Sequence, residues 1–425
     1  MPNKGGMLPK ESAFMSVEPA IRPEEMDTTE AFFGPEEIFF SRTDKRGVIQ
    51  AGNSVFQRVS GYAWEDLLGA PHKLIRHPDM PKGVFALFWN RLKKGRPVAA
   101  YVKNCTKDGQ YYWVFAIVVP IEDSYISVRI KPQAKQFAEA KTLYARLLQI
   151  EKSEGLDAEA SAKRLLSIMY TDGFPDYFTY ICEAMICELR ARDKHLGRPD
   201  GKRRNLTTTL LERTEEAISV TRDLLSGYGE ITSEPTNMRI LSARLEAAGG
   251  PISAISQNYE LMSSDLMHLL SQLDVDGEDP FGLMKTQVQE IRLRLTICRA
   301  FEEASTQFGA EAEQHQQTEA KSMSILSVRM EDEVVSGLRE IVANSERLPA
   351  ICVELRRQVT GLDVVRLLCR VEAGRLNVKD AGLNGIIDRL DRFHSELEAQ
   401  ITRISEIARI ISQDAKSLIV NHDKL

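Results

Sequence analysis

The chain has 425 residues, 43% hydrophobic and 27% charged, with 55 basic against 61 acidic side chains and a formal net charge of -6. At about 150 residues per domain this is room for two to three domains with a buried core, and the mixed charges exclude a broad basic nucleic-acid face while permitting a small basic pocket. Six scattered cysteines without a C-x-x-C pair argue against zinc and disulfide frameworks and fit a reducing cytoplasm, and with no signal-type apolar run and no stretch of about 18 apolar residues neither secretion nor a membrane span is expected.

Residues 1–30 are rich in Pro, Gly and charge without periodicity and read as a flexible arm. The stretch IFFSRTDKRGVIQAGNSVFQRVSGY predicts a strand, a turn at Asp44-Lys45-Arg46-Gly47, a second short strand and a helix beginning near Asn53. Further on, PVAAYVKNCTKDGQYYWVFAIVVPIEDSYISVRI predicts three more strands, with a hairpin turn at Lys107-Asp108-Gly109 where glycine accepts positive φ. Two strands, then helices, then three strands suggest a five-stranded antiparallel sheet with helices across one face, a cup able to hold a ligand. Between the two groups of strands, HKLIRHPDMPKGVF sets Asp79-Met80 between Pro78 and Pro81. The prolines reduce the entropy lost when Arg76, His77 and Asp79 are held near a ligand. The same residues have a structural reading, in which Asp79 caps the next helix and Arg76 pairs with it. Trp89 and Trp113 likewise read as either cavity wall or core.

The words GNSVFQRVSGY, LLGAPHKLIRHPDMPKGVFALFWNRLKKGRPV and YVKNCTKDGQYYWVFAIVVPI, in that order, resemble the PAS domain of aerotaxis receptors over roughly residues 38–131. The resemblance implies FAD in the cup, with Arg76, His77 and Asp79 at positions that matter for its retention. It also implies Asn53, Trp89, Lys103 and Asn104 as wall or polar contacts. A flavin dinucleotide needs cationic partners for its pyrophosphate and apolar walls for its ring. Where the family reads G-x-P-W, this chain reads Gly95-Arg96-Pro97-Val98. That leaves a reshaped pocket, a different ligand, or a PAS domain kept for docking. Haem would require His72 or His77 as an axial ligand.

From about residue 136 the text is helical. Ile252, Ile255, Tyr259, Met262, Leu266, Leu269 and Leu273 step by three and four, the seam of a coiled coil or antiparallel bundle. Leu338, Ile341, Leu348, Cys352, Leu355, Val359 and Leu362 repeat the pattern with Ser345 at one seam position, as do Leu383, Ile386, Leu390, Phe393 and Leu397. The segment TNMRILSARLEAAGGPISAISQNYEL resembles the hairpin tip of methyl-accepting chemotaxis proteins, with Gly249 where that family has arginine. Arg244-Leu245-Glu246-Ala247 recurs as Arg370-Val371-Glu372-Ala373, and Gly382-Leu383-Asn384-Gly385-Ile386-Ile387 resembles the returning half of such a hairpin. The chain thus holds either two receptor-like hairpins in tandem or two unrelated helix turns sharing a tetrapeptide. Asn237, Glu246 and Glu372 are the candidate signalling-hairpin residues. Glu215-Glu216 and Glu302-Glu303 resemble methylation pairs but read equally as solvated helix faces. His394 resembles a kinase phosphoacceptor, yet the stretch after it is too short for an ATP-binding domain. No GxxxxGK[ST] loop, metal cluster or nucleophile constellation is present in the sequence.

The expected organisation is an arm (1–30), an α+β PAS sensor domain (31–133), a helical connector (134–200), and a long all-α antiparallel bundle or coiled-coil region (201–425). The implied function is a cytoplasmic, non-enzymatic sensor of redox state, oxygen or a small ligand, relaying to a chemoreceptor-like helical output in chemotaxis, aerotaxis or motility control. Its partners would be a chemotaxis kinase and coupling protein or another signalling protein, without nucleic acid. The rival reading is an interaction scaffold with an empty PAS domain used for dimerisation or docking. The seam of residues 252–273 requires closure, either by a homodimer through residues 205–425 or by the two hairpins folding on each other within one chain.

Overall fold

The computed structural model describes residues 28–174, 176–199, 201–231, 233–245, 250–271, 273, 280–309, 314–375 and 381–422. The chain divides into two units, one of Met1–Asp200 with Arg292–Asp332, the other of Gly201–Ile291 with Glu333–Leu425.

In the first unit, β1 (Phe39–Asp44), β2 (Ile49–Gly52), β3 (Val98–Cys105), β4 (Tyr111–Ile121) and β5 (Ser124–Ile130) form one sheet of order β2-β1-β5-β4-β3, with every neighbouring pair antiparallel. The two predicted turns form as their chemistry dictates. Asp44 Oδ1 accepts from Arg46 N at 2.8 Å and Val48 N at 2.9 Å, while Gly47 takes φ 75° and Gly109 takes φ 86°. The middle connection carries α1 (Ser54–Ser60), α2 (Trp64–Leu67), a 3-10 turn (His72–Ile75) and α3 (Lys82–Lys93). Asn53 sets where this crossover begins. Its Oδ1 accepts from Phe56 N at 3.1 Å, capping α1, and from Phe40 N at 3.0 Å on β1, while its Nδ2 donates to Ile38 O at 2.7 Å.

The sheet is covered on its other face as well, where the sequence suggested helices on one side only. The helices responsible are α4 (Lys135–Glu154) and α6 (Tyr177–His195), with α5 (Ala158–Thr171) between them in the chain. Residues 134–200 therefore pack within the first unit. Tyr144 donates its hydroxyl to Tyr101 O at 3.2 Å, and Trp113 meets the rings of Phe137 and Tyr144. The buried carboxylate of Glu188 on α6 accepts from Tyr101 Oη at 2.8 Å and from the backbone N–H groups of Gln133 and Ala134 at 2.6 and 3.0 Å. One acid thus joins β3, α6 and the start of α4, where a negative charge suits the exposed N–H groups of a helix. Two-sided burial explains why β4 is a nearly continuous apolar run and why every residue of β5 after Ser124 is buried. Gly83 lets α3 approach α5: a side chain there would meet the Ser161 backbone at 2.6 Å, and its N–H donates to Ser161 Oγ at 3.1 Å.

Residues 292–309 of α10 (Pro280–Gly309) and 314–332 of α11 (Gln314–Arg375), the longest of the described helices, belong to the first unit. There Phe308 packs edge-on to Phe40, and Glu319 accepts from Arg42 Nε at 3.0 Å.

The second unit holds α7 (Lys202–Ile231), α8 (Glu234–Leu245), α9 (Pro251–Leu270), the rest of α10 and α11, and α12 (Ala381–His422). The ion pairs Arg213–Asp414, Glu216–Arg403 and Glu234–Arg389 show that α12 runs antiparallel past α7 and α8. The predicted seams are buried at Ile252, Tyr259 and Leu266, at Leu338 through Leu362, and at Leu383 through Leu397. Their partners lie in the same chain. Tyr259 on α9 meets His394 Nε2 on α12 at 2.7 Å, and His394 Nδ1 meets Asp363 Oδ1 on α11 at 2.7 Å. Asp363 also pairs with Arg366, which reaches Asp391 at 2.5 Å. Within α11 lies Pro349, one turn after the buried Ser345, whose hydroxyl donates to Ile341 O at 2.7 Å.

Replacing Asn53 by Ala leaves two backbone N–H groups and a carbonyl without their partner in a site that water does not reach. A loss of about 3 kcal/mol is expected, and the chain's three tryptophans, at 64, 89 and 113, all lie in the first unit and report it. A urea transition by tryptophan fluorescence that moves by less than about 0.5 kcal/mol would show these bonds to be dispensable.

Candidate functional site

Between the inner face of the sheet and the crossover segment lies a cavity of about 770 Å³, within the size range of small-molecule sites. Its apolar wall is formed by Phe85, Phe88 and Trp89 from α3 and by Val102, Ala116, Val118 and Tyr125 from the strands. Ser41, Thr43, Asn104, Ser127 and Arg129 supply a polar floor, and Arg46, Lys73 and Arg76 supply further cations. No carboxylate and no cysteine is among the described residues that line it. Of its cations Arg46 is paired with Asp44 at 3.0 Å outside the lining, and the described lining offers no thiol to bond covalently to a ligand.

The floor contains buried polar atoms with no protein partner, Ser127 Oγ and Arg129 Nη1, while the Asn104 amide reaches the Tyr112 hydroxyl. Such atoms are costly unless something polar reaches them. The other terminal nitrogen of Arg129 donates to Ser41 Oγ at 2.8 Å and meets His72 Nε2 at 2.6 Å. Because a guanidinium can only donate, Nε2 is the accepting nitrogen and the His72 ring is neutral with its proton on Nδ1. Loss of solvent, then the charges of Arg129 and Arg76, push the His72 pKa well below its ordinary value. The ring lies parallel to that of Phe56, with centroids 6.0 Å apart. A haem iron would need that same Nε2, which is already engaged. Arg76 places its guanidinium 3.7 Å over the Phe85 ring. Desolvation lowers its pKa to about 10, as it does that of Arg129, and both remain cationic at neutral pH.

The structure brings Arg76, Trp89 and Asn104 together around this cavity, while Asn53, His77, Asp79 and Lys103 lie elsewhere. Asn53 spends its polar atoms on the fold. The other three were separated by alternation along the chain: Arg76 bridges Asn104 in antiparallel fashion, His77 N donates to Lys103 O at 3.2 Å, and adjacent residues point to opposite faces. His77, Asp79 and Lys103 accordingly line an outer-face depression of about 690 Å³, with Trp113, Tyr144 and Lys152. Asp79 does not cap α3, whose N-cap is Pro81 without a side-chain bond; it accepts from Lys103 Nζ at 2.9 Å instead. Nor does Arg76 pair with it.

Among the candidate hairpin residues, Asn237 on α8 donates to Glu234 Oε2 at 3.3 Å, and Glu372 on α11 lies 3.6 Å from Arg375. Glu246 lies outside the described residues. Sequence reasoning missed Arg129, Ser127 and Tyr125. The signal available was the period of two in SYISVRI, which puts Tyr125, Ser127 and Arg129 on one face and Ile126, Val128 and Ile130 on the other.

Residues 51–129 match the family described as PAS fold. A stretch of 112 residues is 42% identical to the aerotaxis receptor of Escherichia coli (strain K12), covering 25% of this chain and 22% of the receptor. Another match, to the bacterioopsin transcriptional activator of Halobacterium salinarum, is 26% identical and covers 19% of this chain and 12% of that protein. Among solved structures, the light-state blue-light photoreceptor Aureochrome1 LOV is 22% identical with a TM-score of 0.21, covering 27% of this chain and 90% of that one. The chain spans less than a quarter of the length of the curated relatives it matches. The first unit thus carries a PAS domain resembling that of an aerotaxis receptor, and a long helical region follows it. No helix among the described residues is long and apolar enough to cross a membrane.

His72 and His77 generate a pH dependence. The folded protein holds both below the ordinary histidine value: His77 is lowered to about 4, by desolvation and then by Lys103, against the opposing pull of Asp79. The unfolded chain titrates near 6.5, so acidification loads protons onto the unfolded state. Stability is full above pH ~6.5 and falls as pH drops toward 4, by on the order of 1–2 kcal/mol between pH 7 and 5. Denaturation followed by tryptophan fluorescence at the two pH values should show this loss, and His77→Asn should shrink it. An unchanged slope in that variant would move the effect to other groups.

Proposed function

We propose that this protein is a signal-transduction sensor whose PAS domain holds a flavin, as FAD, and reports redox state to a chemoreceptor-like helical output in aerotaxis or motility control. The observation that carries the reading is the cavity itself: aromatic walls, four cations, two unpartnered buried polar atoms on its floor and no acid among the described lining residues. Those features fit a flat, anionic, hydrogen-bonding ligand, and the 42% identity to an aerotaxis receptor over this region supports the same ligand class. When bound, a flavin supplies a ring whose charge and hydrogen bonding change with its oxidation state. Arg76, Asn104, Ser127 and Arg129 are the residues that would hold it, with Phe85, Phe88 and Trp89 as walls.

The residues of the first unit also supply a way out of the cavity. Arg76 reaches inward, but the backbone beside it is bonded to the edge of β3, and His77 and Asp79 emerge on the outer face beside Lys103 and α4. A shift of Arg76 therefore pulls on the outer face. On the other side of the sheet order, β1 is tied to α10 and α11 through Phe40–Phe308 and Arg42–Glu319. Both helices continue in the chain beyond residues 291 and 332. Two packings of these helices, selected by the ligand's state, would be the signal. A chemotaxis kinase with its coupling protein is the proposed listener.

A homodimer is part of this proposal, but the seam of residues 252–273 is filled from within the chain. A second copy would have to meet another face. The stripe Val353, Val364, Leu367, Leu368 and Val371 on α11, each at least 50% exposed, is apolar at helical spacing.

The purified full chain is expected to be yellow with a flavin spectrum, and Arg76→Ala should lower flavin occupancy more than ~tenfold by removing a charge-assisted contact. A colourless native protein that takes up no added FAD would leave the docking scaffold as the better reading. For self-association, light scattering should give the mass of two chains, reduced to one in Leu367→Glu/Val371→Glu. A one-chain mass for the native protein removes the dimer.

A further inference from the structure

Four arginines are buried among the described residues, and three of them are neutralised. Arg192 pairs with Glu303 at 2.7 Å, Arg292 with Glu183 at 2.6 Å, and Arg366 with Asp363 and Asp391. Arg129, 4% exposed, stands apart: its recorded partners are a serine hydroxyl and a neutral imidazole, and Nη1 has none. A desolvated charge is ordinarily held by an opposite one. Here the partners orient the guanidinium and leave its charge uncompensated. Ser41 and His72 brace one terminal nitrogen, Phe56 lies 5.5 Å beneath the charge, and the residue lines the cavity at its polar floor. The unpaired +1 is therefore available to whatever negative charge the ligand acquires.

We propose that Arg129 sets the redox bias of the sensor, favouring the reduced ligand by holding the added negative charge, with His72 as the neutral positioning residue that keeps the guanidinium unpaired. This rests on the flavin reading above. Two-electron reduction of a bound flavin by an external low-potential donor, with uptake of one proton, adds one net negative charge to it. In a cavity lined by apolar side chains that charge interacts with a fixed guanidinium far more strongly than it would in water. A carboxylate in the place of His72 would cancel the effect. A neutral ring does not, which gives the buried imidazole a reason to replace the usual acid.

The test is a reductive titration of the flavin-loaded full chain with dithionite against a reference dye, with flavin content read from absorbance in each variant. Arg129→Gln is expected to lower the ratio of reduced to oxidised flavin at fixed potential by about tenfold or more, a fall of roughly 30 mV or more for a two-electron couple. Arg129→Lys, which keeps the charge, should stay within about threefold of the native protein. If Arg129→Gln binds flavin and titrates like the native chain, the tuning role is overturned and the flavin reading stands. Loss of flavin from both variants makes Arg129 a retention residue and also overturns the tuning role. A native chain that binds no flavin overturns both.

Discussion

Burial of the sheet on both faces is the constraint from which the first unit follows. A strand covered on one side can send its polar residues to water, but here most residues of β3, β4 and β5 are buried, facing either the packing under α4 and α6 or the cavity under α3. Every polar group that goes inward must then be satisfied, and the two faces answer differently. On the helical face, Glu188 is saturated by a tyrosine hydroxyl and two backbone amides, and the result is a rigid joint. On the cavity face, Ser127 and Arg129 keep buried polar atoms that no protein group meets. The first arrangement holds the fold together and the second holds open a demand for a ligand.

The same alternation marks where the sequence was readable and where it was not. Turns were legible because their chemistry is local: Asp44 with Gly47, Gly109, and Asn53 at the head of α1 each act over a few residues. The five strands were legible from their apolar runs, and the helical seams from their three-and-four spacing. The second layer on the outer face was not foreseen, although the near-continuous apolar run of β4 carried its mark. The expected site residues divide between two faces: Arg76 and Asn104 line the cavity, whereas His77 and Lys103, one residue along the chain from each, turn their side chains to the other face. Phase within the strand pairing decides this, and phase is set by tertiary packing. Arg129 was passed over because it shares its phase of β5 with Tyr125 and Ser127, a polar alternation that reads as a solvent-facing side until the layer covering it is known.

In the second unit a polar network occupies what the spacing presents as an apolar seam. Tyr259, His394 and Asp363 come from three helices and are joined by two bonds of 2.7 Å, with Arg366 and Asp391 completing the set. Each bond needs its partner at one height along the neighbouring helix. A purely aliphatic seam slides at little cost, whereas displacing α9 against α12 by a single turn would strand a phenol and an imidazole in an apolar interior. The network fixes register. With 1% of its surface exposed, His394 is also held away from the solvent that a phosphoacceptor would have to meet.

Mechanically, α11 is not a uniform rod. Pro349 has no N–H to donate, so the carbonyl of Ser345 loses its rung in the ladder and the proline ring crowds the preceding turn. Bending stiffness is lowest there. The flanking Ile341, Leu348 and Cys352 remain buried and keyed into their neighbours, so rotation about the axis still passes through the joint. The helix behaves as two stiff levers on a compliant coupling, which absorbs sideways load and conducts torque.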